Sequence, residues 1–312
     1  MSNIQKIAII GAGSVGATLA QRVLESGASD VVLLDIMKDM ALAKSLDLLD
    51  AAPIIGHERA IKGSGDYKDI SSSDIVVVTA GFVRRPGMTS EDLVAKNAAI
   101  VGEVSSNIKR YAPSSIVIVV TNPLDAMTYL AYKATGFDRK KVFGMAGVLD
   151  AGRFSGLIAG ELKVPRSSVE TYILGSHGDT MVPVLSQTRV GGQPITELLP
   201  REKIEEMIKK ARNRGAEIVK LLGSGSAYYS PSAAVFKMIT AIAGDTRQTL
   251  VASSFLSGEY GLNDICIGVP CRIGKGGIEE IVKIGLSKEE ESALRRSAES
   301  IKSTIALLPS VK

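Results

Sequence analysis

The sequence has little of what marks secreted, metal-binding or membrane-spanning proteins. Its 312 residues include two cysteines, two histidines and no tryptophan. So few cysteines favour free thiols over a disulfide framework, and Cys266, Cys271, His57 and His177 are not spaced as a four-ligand zinc site. No apolar run approaches the roughly 18 residues that a membrane span needs. The net charge of +4, without a run of five lysines or arginines, gives no indication of nucleic-acid binding.

The amino-terminal segment, "MSNIQKIAIIGAG", leads directly into an apolar run. It lacks the basic stretch, apolar stretch and small-residue cleavage site of a secretory signal. Hydrophobic residues make up 45% of the chain and charged residues 22%, which is ordinary for a globular protein. We therefore expect a cytoplasmic protein with no membrane partner, built as one large α/β unit or as two domains that share a core.

Short apolar, β-branched runs alternate with amphipathic segments through the first half of the chain. The runs are "KIAIIG" (6–11), "DVVLLDI" (30–36), "DIVVVTAG" (74–81), "SIVIVVTNP" (115–123), "KVFGMAG" (141–147) and a weaker "ERAIKGSG" (58–65). The amphipathic segments include residues 14–26, 38–50 and 89–111. Runs that are apolar at almost every position predict strands covered on both faces. The repeated strand–helix order predicts an α/β fold with a doubly wound parallel sheet of the Rossmann type.

The pattern changes after about residue 148, where we place a boundary between a dinucleotide-binding domain (1–148) and a mixed α+β substrate domain (149–312). Segments of helical character in the second half are 149–162, 200–222, 231–244 and 287–308. Segments of strand character are "SSVETYILGSHGD", "MVPVLSQTRVGGQPI" and residues 247–257, 264–274 and 278–285. No low-complexity linker separates the halves, so we expect a shared core with a cleft between them.

The stretch "GAGSVG" predicts a dinucleotide site. It is G-x-G-x-x-G, directly after a predicted strand and at the start of a predicted helix. In that context Gly11 permits the tight turn, Gly13 lets the backbone approach a pyrophosphate, and Gly16 packs the helix against the strand. The helix N-terminus offers N–H groups and a positive dipole end to phosphates, while the alternative is a glycine-rich turn without a ligand. The candidate cofactor-binding residues are Gly11, Ala12, Gly13, Ser14, Val15 and Gly16.

Asp35 ends the second predicted strand, about 20 residues after the glycine motif. A carboxylate there accepts hydrogen bonds from the adenine-ribose hydroxyls and repels a 2′-phosphate, so NAD is favoured over NADP as the cofactor. The alternative is an aspartate that caps the next helix.

His177 and the segment "VLDAGRFSGL" supply a candidate catalytic set. His177 lies in "ILGSHGDT" after an apolar run, and a histidine can give or take a proton near neutral pH. Asp150 is the candidate partner that fixes its tautomer, and Arg153 lies on the same helix face as Asp150. The planar guanidinium of Arg153 suits a bidentate pair with a carboxylate. The alternative is an intrahelical Asp150–Arg153 ion pair beside a structural histidine.

Six motifs stand in the same order as in the lactate/malate dehydrogenases, and the chain resembles that family over nearly its whole length. The motifs are "GAGSVG", "LLDI", "TAGFVRRPGMT", "VTNPLD", "GVLDAGRF" and "GSHGDTMVP". The resemblance is to the lactate-dehydrogenase-like malate dehydrogenases of bacteria and archaea in particular. It implies that His177 gives and takes the proton, that Asp150 holds it, and that Arg153 binds the C1 carboxylate of the substrate. It further implies that Asn122 hydrogen-bonds the reacting oxygen, and that the cofactor is contacted by Asn97, Val120, Thr121 and Asn122.

Two residues of "TAGFVRRPGMTSEDL" bear on the substrate and on the rate. The resemblance places Arg84 where malate enzymes keep an arginine and lactate enzymes usually keep a glutamine, so it would pair with the second carboxylate of oxaloacetate. We interpret Arg85 as a solvated loop charge, which is also the alternative for Arg84. Ser90 stands where the family usually carries another arginine, and loss of one such group typically lowers the rate by ~10²–10³. Either the enzyme is slow, naturally or as a laboratory variant, or Arg85 takes over, or the loop closes with a different geometry.

The resemblance implies reversible, NAD-dependent oxidation of (S)-malate to oxaloacetate, a reaction of the tricarboxylic acid cycle, in a homodimer or homotetramer. The partner would be a small dicarboxylate rather than a nucleic acid. One alternative is a dehydrogenase for lactate or another 2-hydroxyacid, against which Arg84 argues. The other is an NAD-binding homologue that has lost catalysis, which Ser90 alone supports.

Overall fold

Strands and helices alternate through the first half of the chain, in a computed structural model that describes residues 4–82 and 88–309. The bounds are β1 (Lys6–Ile10), α1 (Ser14–Glu25), β2 (Asp30–Leu34), α2 (Lys38–Ile55), β3 (Ile61–Ser64), β4 (Ile75–Val78), α3 (Ser90–Tyr111), β5 (Ile116–Val119), α4 (Leu124–Thr135) and β6 (Val142–Met145). Each predicted strand of this half is present, shortened at one or both ends.

The six strands of this half pair in parallel, in the order β3-β2-β1-β4-β5-β6. Alternate residues of β1 enter two different hydrophobic clusters, Ile7 and Ile9 one and Ala8 and Ile10 the other. Both faces of the sheet are therefore covered, which is why its strands are apolar at nearly every position. The predicted doubly wound parallel sheet is confirmed. The chain reverses its direction of travel across the sheet between β1 and β4, and at such a point the carboxyl ends of the strands leave a crevice for a ligand.

The second half continues the same sheet. Its elements are α5 (Gly147–Leu162), β7 (Val169–Glu170), β8 (Ile173–Leu174), β9 (Val182–Pro183), β10 (Arg189–Val190), β11 (Gln193–Pro194), α6 (Ile195–Leu198), α7 (Arg201–Leu222), α8 (Tyr229–Ala243), β12 (Gln248–Ser257), β13 (Asn263–Gly274), β14 (Gly277–Ile281) and α9 (Lys288–Ile305). Strand β12 pairs antiparallel with β6, and β13 and β14 follow, which makes a nine-stranded sheet. One hydrophobic cluster contains Ile9, Ile118 and Ile267, so the two halves share a core as expected.

The segments predicted as sheet around His177 form only two-residue strands, β7 to β11, in two small sheets. Glycines with positive φ interrupt them, at Gly175 (φ 82°), Gly191 (φ 56°) and Gly192 (φ 86°). Such backbone turns the chain before a longer ladder can form. The prediction of sheet was therefore right in kind and wrong in extent, and the result is a loop-rich region around His177.

Helix α2 ends at Ile55 rather than at residue 50, and it continues through Pro53 until Gly56 closes it in the left-handed conformation (φ 86°). Cys266 and Cys271 are free and buried in β13. Among the helices described, none combines the length and the apolarity required to cross a membrane.

Candidate active site

The glycine motif forms the turn between β1 and α1, and its three glycines differ in what surrounds them. Gly11 has φ 109°, and a Cβ there would lie 2.6 Å from the backbone nitrogen of Ala80. A Cβ on Gly16 would overlap the carbonyl oxygen of Gly11. A Cβ on Gly13 would meet no atom within 4 Å. Gly11 and Gly16 are thus required by the packing of the protein itself, whereas Gly13 keeps open space in front of the loop.

The start of α1 fits a phosphate group. Gly13 is the N-cap residue, no side chain in the described ranges caps this end, and the first turn carries no acidic residue. The first N–H groups of a helix have no intrahelical acceptor and carry the positive end of the dipole. An open cradle above Gly13 next to uncapped N–H groups is the arrangement that a pyrophosphate requires.

Asp35 lies directly after β2 and reaches back to the glycine loop. Its Oδ2 accepts the N–H of Ala12 (2.7 Å), and its Oδ1 accepts the N–H of Met37, the N-cap residue of α2 (2.9 Å). Lys44 of α2 donates to the carbonyl of Ala12 (2.6 Å). Asp35 therefore orders the loop and the start of α2, and its contact with a ribose stays a prediction.

His177 lies in the loop after β8, with its ring against α5. Its Nδ1 is 2.8 Å from Oδ2 of Asp150, and the side chains are 15% and 5% exposed. Burial alone lowers the pKa of His177, but the charge of Asp150 and its hydrogen bond outweigh burial, and the pKa is raised. Because Asp150 occupies Nδ1, the other ring nitrogen, Nε2, is left to face a reactant.

Arg153 lies one turn after Asp150 on α5, and its Nη1 is 3.4 Å from Asp150 Oδ1. Its Nε is buried and has no hydrogen-bond partner among the described residues. Burial lowers the pKa of Arg153, Asp150 opposes that effect, and Arg214 adds to it. The ion pair given as the alternative is present, yet it leaves guanidinium N–H groups that an anion would satisfy.

The predicted cofactor-binding residues and the predicted catalytic and substrate-binding residues meet in a cavity of about 330 Å³. Its walls combine the glycine-loop side, the ends of the parallel strands and the second half of the chain. The sequence-predicted residues that line it are Val15, Val120, Thr121, Asn122, Arg153 and His177. A second cavity of about 440 Å³ lies on the other side of His177 and is lined by Ser90, Asn122, Asp125 and Ser300 among others. His177 and Asn122 line both.

Asn97 and Thr121 turn their polar groups into the protein. Asn97 is fully buried, and its amide accepts the N–H of Phe82 (2.7 Å) and donates to the carbonyl of Asn122 (2.6 Å). The Thr121 hydroxyl donates to the carbonyl of Ala80 (2.7 Å). These contacts hold the backbone at the edge of the cavity, and the predicted cofactor contacts of both residues stay predictions.

Arg84 and Arg85 lie outside the described residues, so their predicted parts stay predictions. Ser90 is the first residue of α3, directly after the N-cap Thr89. A capping box joins Thr89 and Asp92, with the N–H of Asp92 donating to the Thr89 hydroxyl (3.0 Å) and the N–H of Thr89 donating to the Asp92 carboxylate (3.1 Å). Ser90 is thus fixed at a well-formed helix start that faces the second cavity.

Sequence reasoning passed over several residues that the fold brings to the site. The segment between α7 and α8 contributes Ser226 and Ala227 to the first cavity, and Gly215 of α7 lies beside the Arg153 guanidinium. No local motif marks them, since they reach the site through the packing of α7 and α8. Asp125, which is buried beside His177, lies in the motif "VTNPLD" but was not among the predicted site residues.

Known proteins resemble this chain over nearly its whole length. The chain matches the lactate/malate dehydrogenase NAD binding domain over residues 5–144 and the lactate/malate dehydrogenase alpha/beta C-terminal domain over residues 147–310. It is 50% identical over 303 residues to a malate dehydrogenase of Methanosarcina mazei, which covers 97% of this chain and 99% of that protein. A malate dehydrogenase structure from Cryptosporidium parvum has a TM-score of 0.95 at 40% identity and covers 98% of this chain and 99% of that one. A lactate dehydrogenase structure from the same organism, complexed with lactic acid and nicotinamide adenine dinucleotide, has a TM-score of 0.95 at 37% identity and covers 99% of both chains.

Proposed function

This chain belongs to the lactate/malate dehydrogenase family, and we propose that it catalyses the reversible, NAD-dependent oxidation of (S)-malate to oxaloacetate. The observation that carries the proposal is the cavity in which His177, Arg153 and Asn122 meet beside the glycine loop. A proton donor, an anion-binding guanidinium and an amide around one reacting atom are what reduction of a 2-oxoacid requires. The identity of 50% to a malate dehydrogenase supports a dicarboxylate substrate.

His177 handles the proton. With Nδ1 directed at Asp150 (2.8 Å), Nε2 carries the proton that goes to the substrate oxygen during reduction and takes it back during oxidation. The charge and hydrogen bond of Asp150 raise the pKa of His177 and so favour the protonated ring that gives this proton. Asn122 donates its amide to the same oxygen, and Arg153 binds the C1 carboxylate through the guanidinium face that Asp150 leaves open.

The glycine loop and Asp35 would hold the cofactor, with the pyrophosphate at the start of α1 and the adenine ribose at Asp35. Bound NAD supplies hydride-transfer chemistry at its nicotinamide ring. The apolar side chains of Val15 and Val120 line the cavity and, with NAD bound, would help to keep water from the reacting atoms. The acidic character of Asp35 supports NAD over NADP.

Arg84 would provide the counter-charge for the second carboxylate of oxaloacetate. A lactate dehydrogenase has no need of that charge, so Arg84 supports malate over lactate. The sequence identity to a malate dehydrogenase also supports malate over both alternatives, the lactate enzyme and the non-catalytic homologue. Ser90 remains the residue that would limit the rate.

We further propose two functional divisions, residues 1–148 for the cofactor and 149–312 for the substrate, in a cytoplasmic enzyme of the tricarboxylic acid cycle. A homodimer or homotetramer is supported by the large apolar side chains that α2 and its flanks expose. Ile36, just before α2, is 88% exposed, and Leu46 and Ile54 on the helix are 60% and 86% exposed. An apolar surface of this kind is rarely left in water, so a second copy of the chain is its proposed cover. Light scattering on the parent protein and on Leu46→Glu tests this, because the variant should dissociate.

Absorbance of NADH, followed with saturating oxaloacetate and separately with pyruvate, tests the proposed activity. Rapid NADH oxidation with oxaloacetate and much slower oxidation with pyruvate is the expected result. Equal rates would favour the general 2-hydroxyacid enzyme. NADH binding without turnover on either substrate would favour the non-catalytic homologue.

A further inference from the structure

Asp125 is a buried carboxylate that the proposed mechanism does not use. It is the second residue of α4, 5% exposed, and it follows Asn122 by less than one helical turn of sequence. Its Oδ2 accepts the backbone N–H of His177 (3.0 Å), and its Oδ1 accepts the hydroxyl of Ser253 in β12 (2.7 Å). One side chain thus joins the start of α4, the loop that carries His177 and the nine-stranded sheet.

A carboxylate is a costly choice for a merely structural clamp at this position. An asparagine could accept the His177 N–H with its amide oxygen and donate to the Ser253 hydroxyl oxygen with its amide nitrogen, without placing a charge in the interior. Burial raises the pKa of Asp125 to about 6, although the hydrogen bonds from Ser253 and His177 lower it. The start of α4 is favourable for an anion but compensates only part of that burial.

What the charge adds is its effect on His177. The ring has Asp150 at Nδ1, Arg153 beyond Asp150 on α5, and Asp125 behind its own backbone. Asp150 and Asp125 raise the pKa of His177, whereas burial and Arg153 lower it. Cys266 of β13 is a further ionisable neighbour of Asp125, and burial and the Asp125 charge hold the pKa of its thiol well above the usual range. Asp179 lines the same cavity as Asp125 and His177.

We propose that Asp125 is a positioning residue for the reaction: it fixes the His177 backbone against the segment that carries Asn122, and it places a second negative charge beside the imidazole. Asp125 thereby ties the loop that carries His177 to the start of α4, directly after the segment that carries Asn122. This inference rests on the proposed function for its catalytic consequence, but the electrostatic part is a property of the protein alone.

The test is a titration of the two histidine rings by NMR in protein labelled at the histidine ring carbon. The chain has only His57 and His177, and His57 lies after α2 with its Nδ1 near the Arg59 N–H, so it is an internal reference. In Asp125→Asn the midpoint of His177 should move to lower pH while that of His57 stays. The kcat for oxaloacetate should fall roughly 10- to 100-fold, with the KM for NADH unchanged.

A matched pair of serine variants keeps the carboxylate in place. Ser253→Ala removes the hydroxyl that stabilises the charged form of Asp125, so His177 should again titrate at lower pH, by a smaller shift. Ser254→Ala is the control, since Ser254 is equally buried on β12 and points to the opposite face, toward Cys271. This pair decides the question if Asp125→Asn does not fold.

An unchanged His177 midpoint in Asp125→Asn, or equal midpoints in Ser253→Ala and Ser254→Ala, would overturn the proposal. A parent enzyme that fails to turn over oxaloacetate would instead refute the proposed function, and the titration would still measure the effect of Asp125 on His177.

Discussion

Replacing Asp150 with asparagine tests the proton-handling part of the site most directly. Asp150 uses its two oxygens for different neighbours, Oδ2 for His177 Nδ1 (2.8 Å) and Oδ1 for Arg153 Nη1 (3.4 Å). Asparagine has the same shape, but one of its two polar atoms donates. Arg153 can only donate, so the amide oxygen must face Arg153 and the amide nitrogen must face His177. His177 Nδ1 then has to accept, which leaves the ring in the neutral tautomer with its proton on Nε2.

The magnitude follows from that inversion. A neutral imidazole is a far weaker acid than the imidazolium that Asp150 supports, and the removed charge acted across 2.8 Å in a site that is 5–15% exposed. At an effective dielectric constant near 20, a charge pair about 4 Å apart is worth about 4 kcal/mol. We therefore expect kcat for oxaloacetate to fall by ~10²–10⁴, the range that such a loss of charge and tautomer gives. NADH binding should stay unchanged, because Asp150 does not line the cofactor side of the cavity.

Single-turnover and steady-state rates of NADH oxidation, with a separate fluorescence titration of NADH, measure these quantities. Asp138→Asn is the matched control, since Asp138 is exposed and its carboxylate accepts the N–H of Lys140, two residues along the chain (2.8 Å). If kcat of Asp150→Asn stays within about threefold of the parent value, less than one kcal/mol, the reasoning from tautomer and charge is refuted.

Four further predictions concern other parts of the site. In Arg84→Gln the ratio of kcat/KM for oxaloacetate to that for pyruvate should fall at least ~10-fold, and an unmoved ratio would reduce Arg84 to a surface charge. In Ser90→Arg the kcat for oxaloacetate should rise by up to ~10²–10³, while the cation at the start of α3 should lower the stability by ~0.3–1 kcal/mol. An unchanged kcat would mean that the loop already stabilises the substrate carbonyl in another way. In Gly13→Ala the Kd for NADH should rise roughly 10- to 100-fold with an unchanged Tm, whereas Gly16→Ala should lower the Tm itself. A lower Tm in both variants would contradict the interpretation that Gly13 serves the phosphate site rather than the packing of the protein. Burial raises the pKa of Asp125 to about 6, above the 3.8 of an aspartate in the unfolded chain, so its contribution to stability is fully present below pH 3.8 and is lost as pH rises through 6. Asp125→Asn should thus increase the free energy of unfolding above pH 7 by up to about 3 kcal/mol in urea titrations, and an equal or lower value would oppose this.

The features that the sequence predicted well are those set by neighbours in the chain. The glycine motif needs only a strand before it and a helix after it, and both follow from hydrophobic periodicity. Asp150 and Arg153 share a helix face because they are three residues apart. The contact between Asp150 and His177, across 27 residues, came from the chemical need of a histidine for a partner and from the resemblance to a family.

The features that escaped prediction depend on packing between distant segments. Whether Asn97 faces a ligand or the backbone of Phe82 and Asn122 is set by the packing of α3, and nothing in its local sequence states the answer. Asp125 meets His177 across 52 residues and Ser253 across 128, so its burial is invisible in "VTNPLD". The strands around His177 were overestimated because periodicity does not reveal where glycines with positive φ interrupt a ladder.

The charges of Asp150 and Asp125 favour the protonated form of His177. Above about pH 6 Asp125 is ionised, and the ion pair of Asp150 with Arg153 lies beside the same ring. Protonated His177 then balances the cluster, with two negative and two positive groups, while neutral His177 leaves it with an excess negative charge. The substrate brings further negative charge to the same place, so the protonated ring is the form that binds oxaloacetate best. Reduction begins from the protonated ring, so kcat/KM for oxaloacetate should fall as pH rises through the midpoint of His177. A kcat/KM for oxaloacetate that does not fall between pH 6 and pH 9 would mean that this cluster does not control the proton.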